Sequence, residues 1–243
     1  MADRFKRALD GFYAFVDKPL FLWTRPVLLL LLVPLVIGLT KPLWHIAMEA
    51  PQYPNGLSLD IYSHTVTGGH DGADIAEINI LNHYIGMKKL DRTMLTELDW
   101  LPFGFGALGL LLARVATLGN VRSLVDLSAI TVYFAGFSVF RFVYKMHAYG
   151  HDLAHDAPIK IQGFMPALWG TKQVGNFTTH AHPGSGTYLI STFALGVVAV
   201  TLVHLVEGRR RARREELAAA KDDTPKTPPK NARRDAKDQK EEE

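Results

Sequence analysis

The 243-residue chain contains no cysteine. That excludes a disulfide framework, a cysteine-ligated zinc or iron–sulfur centre, thiol catalysis and covalent c-type haem. It also suits a chain whose loops face an oxidising compartment. The familiar phosphate and nucleophile signatures are missing: there is no P-loop, no GxGxxG after a strand, no GxSxG elbow and no internal repeat. A one-sided charge is missing as well. The formal net charge is +3, with the bases mostly at the two ends and mixed with acids. That is no nucleic-acid footprint, and no nucleic-acid partner is expected.

What is present is segregation. Residues 207–243 hold 12 of the 27 Lys+Arg and 10 of the 24 Asp+Glu. Four runs, residues 26–44, 101–118, 124–144 and 186–206, are almost free of charge. A helix needs about 20 apolar residues to cross a ~30 Å hydrocarbon layer. Two of the runs are a little short, which tilt or snorkelling of Lys41 and Arg114 accommodates. The competing reading, buried helices of a soluble protein, leaves too little chain to cover four such runs.

Charge between the runs tests this independently. Arg4, Lys6, Arg7, Lys18 and Arg25 precede the first run, Arg122 lies between the second and third, and Arg209, Arg210, Arg211, Arg213 and Arg214 follow the fourth. The segment from His45 to Trp100 carries eight acids and three bases. Positive residues alternate in side, as the positive-inside rule requires for both termini in the cytoplasm. The expected fold is therefore an all-α membrane protein. It would have four transmembrane helices and a small mixed extracytoplasmic cap built from outer segments 45–100 and 145–185. The lipid bilayer is one expected partner.

Phe5, Leu9, Phe12 and Val16 recur on one helical stripe beside several bases, which predicts a cytoplasmic amphipathic segment over residues 1–25. Residues 207–243 are expected to form a disordered cytoplasmic tail. In the first outer segment, residues 57–67 read as a short strand or hairpin. Asp74 and Glu77 fit a capping box, and Gly86 a helix end. The segment around Trp169 reads as interfacial or re-entrant.

Nine of the ten histidines lie outside the runs, and His204 is alone inside one. A lone intramembrane histidine does not supply the two axial ligands of haem b, so no haem is expected. Asn79, His83 and Met87 fall four apart on one helical face, and an imidazole beside a thioether suits copper. A hydrogen-bonded histidine and a packed methionine account for the same residues without a metal. His147, His151 and His155, also four apart, admit a metal site, a short H-x4-D acyltransferase pattern, or a hydrogen-bonded helix extension. His180 and His182 share a metal only if the chain there is extended.

Three stretches carry a resemblance: APQYPNGLSLDIY (residues 50–62), DIAEINILNHYIGMKKL (74–90) and YGHDLAHDAPIKIQGF with GTKQVGNF (149–177). They resemble a family of bacterial polytopic membrane proteins that carries an N-H-Y-I-G-M motif. Its members occur near genes for nitrous-oxide-reductase maturation and copper chaperones, and its activity is not settled. The matching positions are Asn79, Asn82, His83, Tyr84, Gly86, Met87, Gly150, His151, Lys172, Gln173 and Asn176. Met165 is an approximate match, and His147, His155, His180 and His182 fall outside the pattern.

The resemblance implies that the bilayer is the bacterial cytoplasmic membrane and that the chain is an accessory protein of copper-dependent respiration. It would bind or relay copper on the outer face, or dock a maturation or electron-transfer partner from the membrane or periplasm. His83, Met87, His151 and Met165 would be the metal ligands. Asn79, Asn82, Tyr84, Lys172, Gln173 and Asn176 would support them. A metal-free structural or assembly subunit of a respiratory complex is the alternative. Catalysis is not expected; a lipid-directed enzyme would rest on the H-x4-D pattern alone.

Overall fold

The first apolar run stops being a helix sooner than its composition predicts. Helix α1 covers Thr24–Leu39, 16 residues, or about 24 Å at 1.5 Å per residue. Thr40 closes it through its N–H and hydroxyl on Ile37 O, and Pro42 follows. By Trp44 the chain is a strand. A computed structural model describes residues 16–90, 100–174 and 176–222. After α1 come β1 (Trp44–Ala50), β2 (Tyr53–Ile61), β3 (Val66–Gly68), a single 3-10 turn (His70–Gly72) and α2 (Ala73–Ile85). Next are α3 (Trp100–Leu118), α4 (Val121–His151), β4 (Gly170–Val174), β5 (Phe177–Pro183) and α5 (Ser185–Asp222).

The strands form one antiparallel five-stranded sheet in the order β3-β2-β1-β5-β4. The expectation of an all-α protein with four transmembrane helices is therefore corrected. The chain is a mixed α/β protein, and among the described residues three helices are long and apolar enough to cross a membrane: α3, α4 and residues 185–214 of α5. On that basis it is a multi-pass membrane protein. Two sequence features hid the sheet. β1 follows an apolar run closely enough to read as its end. β4 lies in the aromatic stretch that reads as interfacial, so its pairing partner has to be known first.

Chain order sets where the sheet sits. It joins the C-terminal ends of α1 and α4 to the N-terminal end of α5. Gly184 N–H and Gly186 N–H bond Leu43 O and Pro42 O, tying the entry of α5 to the exit of α1. A Cβ on Gly186 would lie 2.6 Å from Lys41 O and 2.8 Å from Gly38 O, so only glycine permits this backbone approach. Among the described residues β3 and β4 are the edges of the sheet, and hydrocarbon does not tolerate an open sheet edge. The sheet thus lies outside the apolar layer, at one end of the helices.

Alternation along the strands gives the sheet two unlike faces. Ile46, Leu57, Leu59 and Ala181 pack with Ile78 of α2 and Ala167 in an apolar core. The opposite face carries His45, Glu49, Asp60, His180 and His182. Helix α2 is held by its ends. The expected Asp74–Glu77 capping box is absent: Gly72 caps the helix at φ +94° without a side-chain bond. Asp74 instead accepts from Ser58 N–H at 2.8 Å and His70 Nδ1–H at 2.8 Å, and Glu77 accepts from the Tyr53 hydroxyl at 2.7 Å. The far end closes as a Schellman motif, with Gly86 N–H on His83 O and Met87 N–H on Asn82 O.

Among the helices, Leu28, Leu112, Leu124, Phe193 and Val197 are buried. Leu30, Leu110, Tyr133 and Leu195 remain exposed and apolar, as lipid-facing residues do. His204 is 1% exposed. It accepts from Phe21 N–H through Nε2 at 3.1 Å and lies against the Phe21 ring, so it anchors the segment before α1. Residues from Leu205 onward form a second unit. There the helix continues to Asp222, where a disordered tail from residue 207 was expected. Arg211 pairs with Glu207 at 3.2 Å within this unit. The expected amphipathic stripe through Phe5, Leu9 and Phe12 lies outside the described residues.

Candidate functional site

The chemistry-bearing residues collect in two places, and the sequence pointed to one of them. The first is where the end of α2 meets the chain leaving α4. His83 sits in the last turn of α2 and is exposed, as is Tyr84. Immediately beyond, Gly86 O accepts from Ala154 N–H at 2.8 Å, and Tyr84 O from Ile159 N–H at 2.9 Å. Lys88 pairs with Asp152, and that hydrogen-bonded charge holds the Asp152 carboxyl below its ordinary range.

His151, also exposed, is the last residue of α4. Phe164 N–H bonds Gly150 O at 2.9 Å, and Gly163 packs against the His151 ring. The segments bearing His83, Met87, His151 and Met165 are thus neighbours. Met87 lines an apolar cavity of about 220 Å³ between the sheet and α4, together with Met48, Met146 and Phe164. Met165 is half-buried, and its carbonyl accepts from Lys172 Nζ at 2.5 Å.

His147, His151 and His155 do not share one helical face. α4 ends at His151, so His155 lies beyond it. His147 and His151 stack with centroids 3.8 Å apart and planes 8° apart, which points their lone pairs in parallel instead of at one metal. His151 Nδ1–H donates to His147 O at 2.9 Å, because a carbonyl can only accept.

Of the supporting residues, Tyr84 lies beside the His83 ring with centroids 6.3 Å apart, whereas Asn79, Asn82 and Lys172 hold backbone. Asn79 accepts from Leu90 N–H at 2.7 Å and donates to Leu90 O at 3.2 Å. Asn82, buried, donates to Lys88 O at 3.4 Å. Gln173 lies in β4 opposite Thr178, and Asn176 in the turn to β5. Among the described residues, no group of three or more His, Asp or Glu side chains is disposed to hold a metal ion.

The second place is the polar face of the sheet, which sequence reasoning underrated. β5 is extended, the condition that a His180–His182 pair requires. In addition, β1 places His45 directly opposite His182 on one side, and β2 places Asp60 opposite His45 on the other. Their spacing along the chain carries no hint of this, since His45 and His182 lie 137 residues apart. The one available signal was the period-2 alternation of residues 44–50.

No protein-family model, curated protein or solved structure matches the chain.

Proposed function

We propose that this is a membrane accessory protein of copper-dependent respiration. Its sheet-and-helix unit would work on the outer face of a bacterial cytoplasmic membrane, handling copper or docking a maturation or electron-transfer partner. The observation that carries the reading is the clamp between the end of α2 and the chain after α4. It holds exposed His83 and exposed His151 on adjoining segments, with Met87 and Met165 close by in sequence. Arg114 and Arg122 lie by the α3–α4 turn, at the helix ends away from the sheet, which supports an outward-facing sheet.

Copper titration of the purified protein in detergent, beside His83→Ala/His151→Ala, tests the metal half. The expected result is loss of at least one copper equivalent in the variant. Equal stoichiometry removes these ligands from the reading. One observation favours the metal-free alternative, a structural or assembly subunit. Asn79, Asn82 and Lys172 are committed to backbone carbonyls and amides, so they knit the loops together and do not orient imidazoles. That alternative predicts co-purification with a larger membrane complex and no stoichiometric copper.

A further inference from the structure

We infer that His45 and His182 form a second metal-binding position, on the polar face of the sheet, which takes a first-row divalent cation such as zinc. It uses none of the residues of the copper reading and stands apart from it.

The argument starts from the register. His45 on β1 pairs with His182 on β5 and with Asp60 on β2, so three polar side chains lie in one row across three adjacent strands. The row is open to solvent: His182 is exposed, and the side chains of His45 and Asp60 keep 31% and 35% of their surface.

The hydrogen bonds then fix the state of each ring. Asp60 Oδ1 lies 2.7 Å from His45 Nδ1, and a carboxylate can only accept, so His45 Nδ1 carries the proton. The Pro183 carbonyl lies 3.2 Å from His182 Nδ1, and the same reasoning protonates that nitrogen. In the neutral ring each Nε2 is left as a lone-pair donor. A carboxylate or backbone carbonyl on the far nitrogen is the usual support of a metal-binding imidazole, because it sets the tautomer and raises the basicity of the ligating atom.

The spacing agrees. The two ring centroids are 4.9 Å apart, with planes 34° apart. With metal–nitrogen bonds near 2.0–2.1 Å, an ion in line with both Nε2 atoms would lie about 3.2 Å from each centroid, and rings 4.9 Å apart would then subtend an N–metal–N angle of about 100°. That falls between octahedral and tetrahedral values. Two imidazoles leave the remaining positions to water or an incoming ligand, as in an open site. His180, two residues along the same face, is engaged with Thr171 Oγ1 at 2.8 Å and is not counted as a ligand.

Isothermal titration of untagged full-length protein in detergent with zinc alone tests this. Wild type, His45→Ala, His182→Ala, Asp60→Asn and His83→Ala/His151→Ala are compared. His182 is exposed, so its replacement spares the core and keeps the test valid if His45→Ala fails to fold. Both single histidine variants are expected to lose one zinc equivalent. Asp60→Asn should keep the stoichiometry while weakening affinity about 10–100-fold. The His83/His151 variant should retain that equivalent, so failure of the copper reading leaves this result standing, and the reverse. Unchanged zinc stoichiometry and affinity in His182→Ala overturns the inference. So does loss of the equivalent in the His83/His151 variant alone.

Discussion

Replacing Asp74 by alanine should loosen the sheet far more than an ordinary carboxylate substitution. Asp74 is 3% exposed and joins three elements. Its carboxylate accepts from Ser58 N–H on β2 and from His70 Nδ1–H in the turn, while it stands in the first turn of α2. Gly69 packs so close that an added Cβ would lie 2.7 Å from Asp74 Oδ2, so no large group can enter to replace the lost oxygen. Each hydrogen bond to a buried charge contributes about 1.5–3 kcal/mol, and the two share one acceptor group, so the combined loss is about 3 kcal/mol. That is roughly a hundredfold in a local opening equilibrium.

Hydrogen exchange followed by mass spectrometry on the peptides of β2, β3 and the start of α2 reads this directly. At pH 7 the variant should exchange there about a hundredfold faster than wild type, with α3 unchanged. The pH dependence has a definite sign. Burial alone would raise the Asp74 pKa, but the Ser58 N–H, the His70 imidazole and the Ser58 hydroxyl outweigh it and bring the folded value below the ordinary one. A lowered folded pKa contributes stability above the unfolded value of about 3.9, and that contribution fades as pH falls through the folded value. The ratio of variant to wild-type exchange should therefore shrink in acid. A ratio under threefold at pH 7, or one that grows in acid, refutes the reasoning.

Two further substitutions probe the joints around the candidate sites. Gly86→Ala forces alanine to φ +78° and places its Cβ 2.9 Å from Ala157 Cβ and 3.0 Å from Ala154 backbone atoms. A cost of about 2 kcal/mol is expected, seen as faster proteolytic nicking of residues 84–88 and 152–159 with the helices intact. His204→Leu keeps the bulk but removes the acceptor of Phe21 N–H. It should cost about 1–3 kcal/mol, measured as a lowered thermal midpoint in detergent. An unchanged midpoint would show that the imidazole serves packing alone.

Legibility from the sequence followed the range of the interactions. The helix end at Gly86 was readable because a positive φ is a local demand that glycine meets by itself. The apolar runs at 101–118, 124–144 and 186–206 were readable because length and composition together decide whether a helix suits a bilayer. The run at 26–44 misled because apolarity does not distinguish a 16-residue helix followed by a strand from a single span. The capping box misled for a related reason. The Asp74 carboxylate that fits a local cap finds better donors on β2 and in the turn, and which donors arrive is a tertiary matter.

By itself, the sequence determined that this chain enters a membrane and that its histidines are concentrated outside it. Both follow from transfer free energies summed over contiguous residues. Tertiary structure decided which histidines meet. Strand register sets His45 beside His182 and Asp60, whereas helical spacing merely stacks His147 on His151. Pairing across a sheet joins residues far apart in the chain through backbone hydrogen bonds that any residue but proline can donate, so the partner of a strand is not written in the strand.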